Sequence, residues 1–210
     1  FTLVRLQYFV YPVIELLLPY AEKYNLKMGY EMHVPLTFES PRTQELLRQV
    51  EHISSEHLGM IPDCGIFARS VPQFAKDNAV RRGIPENLVN HAVELWKAKV
   101  PLKEALDELT SRGLEKSNLT VLERFWGSFG QSNPESLLDI MPYIIHIHGK
   151  FFSMVDGDEP DIRFEEVVQA LLKGGYTGWL SSEFEGNASD SFEVLKAHQE
   201  MLHHYIRANA

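Results

Sequence analysis

The stretch Leu171–Gly186, LLKGGYTGWLSSEFEG, decides the fold. Its two leucines close the amphipathic segment Ile162–Leu172 (IRFEEVVQALL), and Gly174-Gly175 stops that helix by C-capping. Tyr176–Glu185 then reads as a strand. Side chains alternate along a strand, so Glu183 and Glu185 share one face. Three earlier apolar runs end in the same way: Met28–His33 (MGYEMH), Gly59–Phe67 (GMIPDCGIF) and Tyr143–Phe151 (YIIHIHGKF). Each run offers one inward-facing candidate ligand, giving Glu31, Asp63, His148 and Glu183. Two glutamates, an aspartate and a histidine form a hard, mostly oxygen donor set suited to Mn²⁺, Mg²⁺ or a similar divalent ion. Such ligands in sequence, each followed by a helix-like stretch, predict one face of a parallel βα barrel.

Working outward, residues 11–24 read as a helix with Pro19 a kink, and Asn25-Leu26 end it. Ser40-Pro41 reads as N-cap and first residue of a helix over 41–53, with Leu46, Leu47, Val50 and Ile53 as its buried stripe. A last helix is expected from Asp190 to about Ile206. The candidate ligands are separated by 32, 85 and 35 residues. The outer gaps each match one βα unit, and the middle gap is about 50 residues too long for one unit of a barrel of this class. Residues 70–141 fill it with helical stretches over 72–82, 86–98, 101–112 and 118–128 and no strand-like run. They are read as a helical insertion within a single domain spanning 1–210, a lid or an assembly surface.

The bulk numbers exclude several classes. The 210 residues are 44% hydrophobic and 23% charged, ordinary for a globular protein. The formal charge of −9 argues against a nucleic-acid backbone as partner. No apolar run of about 18 residues is present, so no membrane span is expected. From the first residues of the sequence no signal peptide is expected. Cys64 is the single cysteine, which rules out an intrachain disulfide and a thiolate metal site and fits a reducing cytoplasm.

Four stretches carry a family resemblance. AEKYNLKMGYEMHVP, IPDCGIF, HIHGKF and LLKGGYTGWLSSEFEG resemble, in order, the metal-ligand strands of the sugar isomerase/epimerase superfamily, the xylose-isomerase-like TIM barrels. The match covers residues 11–69 and 140–207. It implies a (β/α)8 barrel holding one catalytic divalent metal, usually Mn²⁺, with Mg²⁺, Co²⁺ or Zn²⁺ as alternatives, on Glu31, Asp63, His148 and Glu183. Ile66 stands where many relatives carry a second histidine, which argues against a multi-zinc nuclease site.

His146 shares a strand face with His148, and Glu185 with Glu183, so either member of each pair is a ligand candidate. The lysine that follows the histidine in the family favours His148. Glu31, Glu183, His33 and Lys150 are the catalytic candidates, and His33, Lys150 and Arg69 the substrate-binding ones. The other histidines, including His203 and His204, are expected at the surface, and Phe125-Trp126 and Phe151-Phe152 in packing, with Phe151 and Phe152 near enough the site to line a sugar pocket. The activity implied is metal-dependent isomerisation or epimerisation of a sugar or sugar-like polyol through an enediolate. The alternatives are the large subunit of a C-glycoside deglycosidase, a lyase acting on an oxidised glycoside, and a non-catalytic sugar-binding subunit. With four strands visible of the eight a closed barrel needs, the chain is expected to supply the C-terminal half. A homo-oligomer or hetero-complex would complete it, and the piece alone would associate or fold poorly.

Overall fold

The computed structural model describes residues 10–187 and 190–209. The reading of the extreme N-terminus lies outside them. Helix α1 spans Tyr11–Tyr24 and runs through Pro19, and strand β1 spans Met28–Met32. Helix α2, Pro41–Ile53, begins as the sequence predicts: Ser40 Oγ accepts from the Thr43 N–H, and Pro41 opens the first turn. Strand β2 is Leu58–Pro62. Helices α3 (Gln73–Arg81), α4 (Glu86–Lys97), α5 (Leu102–Ser111), α6 (Leu119–Ser128) and the single-turn α7 (Leu137–Ile140) follow. Strand β3 (Ile147–Phe151), helix α8 (Phe164–Lys173), strand β4 (Leu180–Phe184) and helix α9 (Ser191–Asn209) complete the order.

The strands are all parallel. β1 pairs with β2 and β3 with β4, and single parallel bridges at Met60–Ile144 and Asp63–His148 join the two pairs. The spatial order is therefore β1-β2-β3-β4, the order of the chain, with helical crossovers between neighbours. Gly59 makes the central join possible. A Cβ there would stand 2.5 Å from the Tyr143 carbonyl oxygen, so only glycine lets β2 approach the chain leading into β3. A parallel α/β layer is thus established, and closure into a barrel remains an expectation.

Three strands are several residues shorter than the sequence suggests; β4 occupies only Leu180–Phe184 of the run expected over Tyr176–Glu185. The run expected over Gly59–Phe67 ends as a strand at Pro62, keeps one bridge at Asp63, and coils into a 3₁₀ turn at Cys64–Ile66, capped by Asp63. The run expected over Tyr143–Phe151 starts at Ile147, because Met141–Tyr143 coils as a 3₁₀ turn around Pro142. Local propensity gave apolar runs, and the capping aspartate and the proline cut those of β2 and β3.

One core runs through the layer. Met32, Met60, Phe151 and Phe164 are fully buried between sheet and helices, each contributing roughly 1.5–3 kcal/mol by burial. It continues into α3–α6 through Trp96, Leu109, Leu122 and Phe125. Trp96 Nε1 donates to the Phe129 carbonyl and Trp126 Nε1 to the Val100 carbonyl, so these indoles pack rather than face a ligand. After α6 the chain returns to the end of β2, where the Ala68 N–H donates to the Gly130 carbonyl at 2.7 Å. The opposite flanks are bare. Leu16 on α1 is 67% exposed, and Trp179 and Phe192 beside β4 are 81% and 84% exposed.

Candidate metal centre

The strand ends bring the four expected ligands to one point. In β1, Tyr30 and Met32 turn into the core, so the pleat aims Glu31 at the open face. Asp63 sits one residue beyond β2. Its Oδ1 accepts from the Gly65 N–H at 2.7 Å, which fixes the carboxylate, and its side chain is 1% exposed. His148 and Glu183 project from β3 and β4 toward the same face. One donor atom from each of Glu31, Asp63, His148 and Glu183 lies within 4.8 Å of the other three.

His148 Nδ1 stands 2.7 Å from Glu31 Oε1 and 3.6 Å from Glu183 Oε2. Lys150 Nζ lies 2.7 Å from Asp63 Oδ2, an ion pair by distance whose alignment falls short of a hydrogen bond. The same ammonium is 3.2 Å from Glu185 and 3.8 Å from Glu183. Burial pushes the Asp63 carboxyl above its usual range against the pull of Lys150. Burial raises Glu183 as well, with the Asp63 and Glu185 charges adding to it. Burial works to lower the Lys150 ammonium, but Asp63, Glu185 and Glu183 outweigh it and raise it. The cluster thus holds more negative charge than its one lysine offsets. Glu183 Oε2 is buried without a hydrogen-bond partner among the described residues. An orphaned oxygen and carboxyls driven toward protonation by burial and by one another fit the donor set of a divalent ion.

The other expected residues divide. His33 is exposed and lines a cavity of about 460 Å³ together with Lys150 and Glu185. His146 hydrogen-bonds Ser181 Oγ at 2.9 Å and is not part of the converging group, and Glu185 touches the cluster through Lys150. Arg69 lies outside it as well: its Nε and a terminal nitrogen both donate to the Ile162 carbonyl.

The sequence reading missed two buried groups behind the site. His198, one of the histidines expected at the surface, is fully buried. Its ring stacks on Phe151 at 3.9 Å, and its Nδ1 hydrogen-bonds Ser182 Oγ at 2.6 Å. Burial pushes it down to about 4. The signal was present, since His198 falls in register with Leu195, Met201 and Leu202 on the buried stripe of α9. Glu159, in the acidic loop DGDEPD, accepts from the backbone N–H groups of Phe152, Asp161 and Ile162, and burial pushes it up to about 7. Nothing local separates it from a solvated acid.

No protein-family model matches the chain. Among curated proteins it is 33% identical over 218 residues to a 3'-dehydrocarminate deglycosidase alpha subunit of a Microbacterium species, covering 93% of this chain and 62% of that one. It is 31% identical over 202 residues to a C-glycoside deglycosidase alpha subunit of Arthrobacter globiformis, covering 90% and 57%. A C-glycoside deglycosidase alpha subunit of Microbacterium trichothecenolyticum is 28% identical over 201 residues, covering 89% and 55%. The chain is therefore homologous to these enzyme subunits over most of its own length and spans about 55–62% of theirs. No helix among the described residues is long and apolar enough to cross a membrane.

Proposed function

We propose that the protein is the metal-binding part of a deglycosidase-type lyase acting on an oxidised glycoside. The observation that carries this reading is the convergence of Glu31, Asp63, His148 and Glu183 within 4.8 Å, in a chain homologous to deglycosidase alpha subunits. A divalent ion held there, Mn²⁺ by preference, would supply Lewis-acid polarisation of a substrate carbonyl. The remaining work falls to the chain. His33, in the cavity wall, takes the proton from the carbon next to the sugar's keto group. Lys150 faces the negative charge that develops on the carbonyl oxygen. The electron pair then returns to expel the aglycone from the anomeric carbon, and the aglycone carbon that leaves takes up a proton. The name alpha subunit carried by the relatives supports a heteromeric complex, in which a partner would complete the sheet.

A second reading is favoured by one distance pair. Glu31 and Glu183 flank His148 Nδ1 at 2.7 and 3.6 Å, two carboxylates positioned to remove and return protons in an isomerase or epimerase. The full-length protein, purified with any subunit it carries and loaded with Mn²⁺, separates the two. Release of free aglycone from 3-keto C-glycosides supports the lyase. Deuterium uptake from D₂O into a keto sugar, with no aglycone released, overturns it in favour of the second reading. His33→Ala is expected to keep the metal and lose at least about 10²-fold in rate, the low end for an acid/base group.

A further inference from the structure

The cavity beside the metal cluster has two chemically different sides. His33, Lys150 and Glu185 enter from the strand ends. The other side comes from α3 and α6, through Phe74, Asn78, Phe125 and Arg124. Phe74 of α3 and Phe129 just past α6 pack against each other and against Phe152 just past β3, with centroids 5.4–6.4 Å apart, so a preformed aromatic wall runs from this side to the end of β3. Arg124 is the one guanidinium in the lining. Arg69 and Arg163 bond backbone carbonyls, and Arg48 and Arg112 pair with glutamates. Arg124 has no ion pair or hydrogen bond to any described residue. The lysine in the same lining is already engaged with Asp63 and Glu185. The cavity's uncommitted fixed positive charge therefore lies on the helical side, next to aromatic surface.

We infer that Arg124 is a specificity-determining residue that binds an anionic group, a carboxylate or an ionised phenol, on the portion of the substrate held away from the metal cluster. The inference rests on the reading of this cavity as the substrate site. A guanidinium presents a planar fork of donors that matches a carboxylate bidentately, and its weak hydration lets it work against aromatic surface. A neutral hydroxyl would satisfy it less well. The acidic strand-end side repels an anion, so the two sides together also fix the orientation in which such a substrate enters.

The test measures equilibrium binding of benzoate, 4-nitrophenolate and uncharged methyl benzoate to the full-length protein, both metal-free and Mn²⁺-loaded. Benzoate or nitrophenolate is expected to bind at least tenfold more tightly than the ester, and to do so without metal. The arm that binds more tightly identifies the anion class. Arg124→Ala is expected to remove that advantage while leaving ester binding and Mn²⁺ content unchanged, and Arg124→Lys to restore part of it. Anion binding that vanishes with the metal would mean direct ligation and overturn the inference, as would an Arg124→Ala variant that keeps the preference. Failure of the deglycosidase reading would appear instead as absent aglycone release with anion binding intact.

Discussion

The two faces of the β3–β4 pair handle buried polarity in opposite ways. On the open face, Lys150 is charged and nearly buried, with Asp63, Glu183 and Glu185 all within 4 Å of its ammonium. On the packed face, His198 is fully buried with no charged partner within salt-bridge reach among the described residues. It is held neutral between Phe151, Phe164 and Ser182. A structural polar group can satisfy its burial by giving up charge. The open face keeps its charges close together, which is costly unless a cation completes it. That difference marks the open face as the candidate functional face without reference to any relative.

The strongest way to break the contrast is to remove a ligand. Glu31→Ala, Asp63→Ala, His148→Ala and Glu183→Ala are each expected to lower metal affinity by more than about 10²-fold, the upper limit for loss of an outer partner of a metal site. Metal analysis after dialysis checks it. A variant that keeps stoichiometric metal would remove that residue from the ligand set. His146→Ala and Glu185→Ala serve as the comparison and should retain the ion.

Lys150→Met sharpens the contrast from the other side. It leaves Asp63, at 1% exposure, without its cation. The cost expected in metal-free protein is roughly 3 kcal/mol or more, the scale for breaking a buried pair. Bound Mn²⁺ would supply the missing positive charge, so most of that loss should vanish in loaded protein. Urea midpoints with and without Mn²⁺ measure it. An equal loss in both would mean that Lys150 and the ion do not share Asp63.

The candidate residues of the open face were legible in the sequence; on the packed face the helical register that buries His198 is present but overridden by the expectation of a surface histidine. Glu31, His148 and Glu183 sit at alternating positions in apolar strands, so the pleat alone assigns them a common side. Asp63 was legible by its place in the series even though the strand ends one residue before it. Gly174-Gly175 and Ser40-Pro41 fixed helix ends through backbone chemistry that needs no tertiary partner. The bond that Arg69 makes was not legible, because its acceptor, the Ile162 carbonyl, is 93 residues away. Arg124 belongs to α6, and the aromatic wall joins Phe74 of α3 and Phe129 just past α6 to Phe152 just past β3, so all but Phe152 depend on how four helices pack against the strand ends. Glu159 looks solvated until three backbone donors close on it.

The smallest effect is one of slope. His198 is about 4 when folded and 6.5 when unfolded. Its neutral burial therefore costs nothing above pH 6.5, and stability falls as the pH drops from 6.5 toward 4, by about 3 kcal/mol in full. Glu159 runs the other way, from 4.5 unfolded to about 7 folded. Its burial costs nothing below pH 4.5, and stability falls as the pH rises from 4.5 to 7, by a similar amount. Across the shared window, pH 4.5–6.5, the two slopes oppose and largely cancel. His198→Phe, which keeps the aromatic stack, should expose the Glu159 slope, so that the variant gains on the parent as the pH falls from 6.5 to 4.5. Glu159→Gln should do the reverse, and the double variant should lie flat relative to both. Denaturant midpoints at half-unit pH intervals in metal-free protein read these differences. If the difference between parent and His198→Phe were constant over that window, His198 would titrate alike folded and unfolded. The packed face would then tolerate a charge, and the contrast between the two faces would fall.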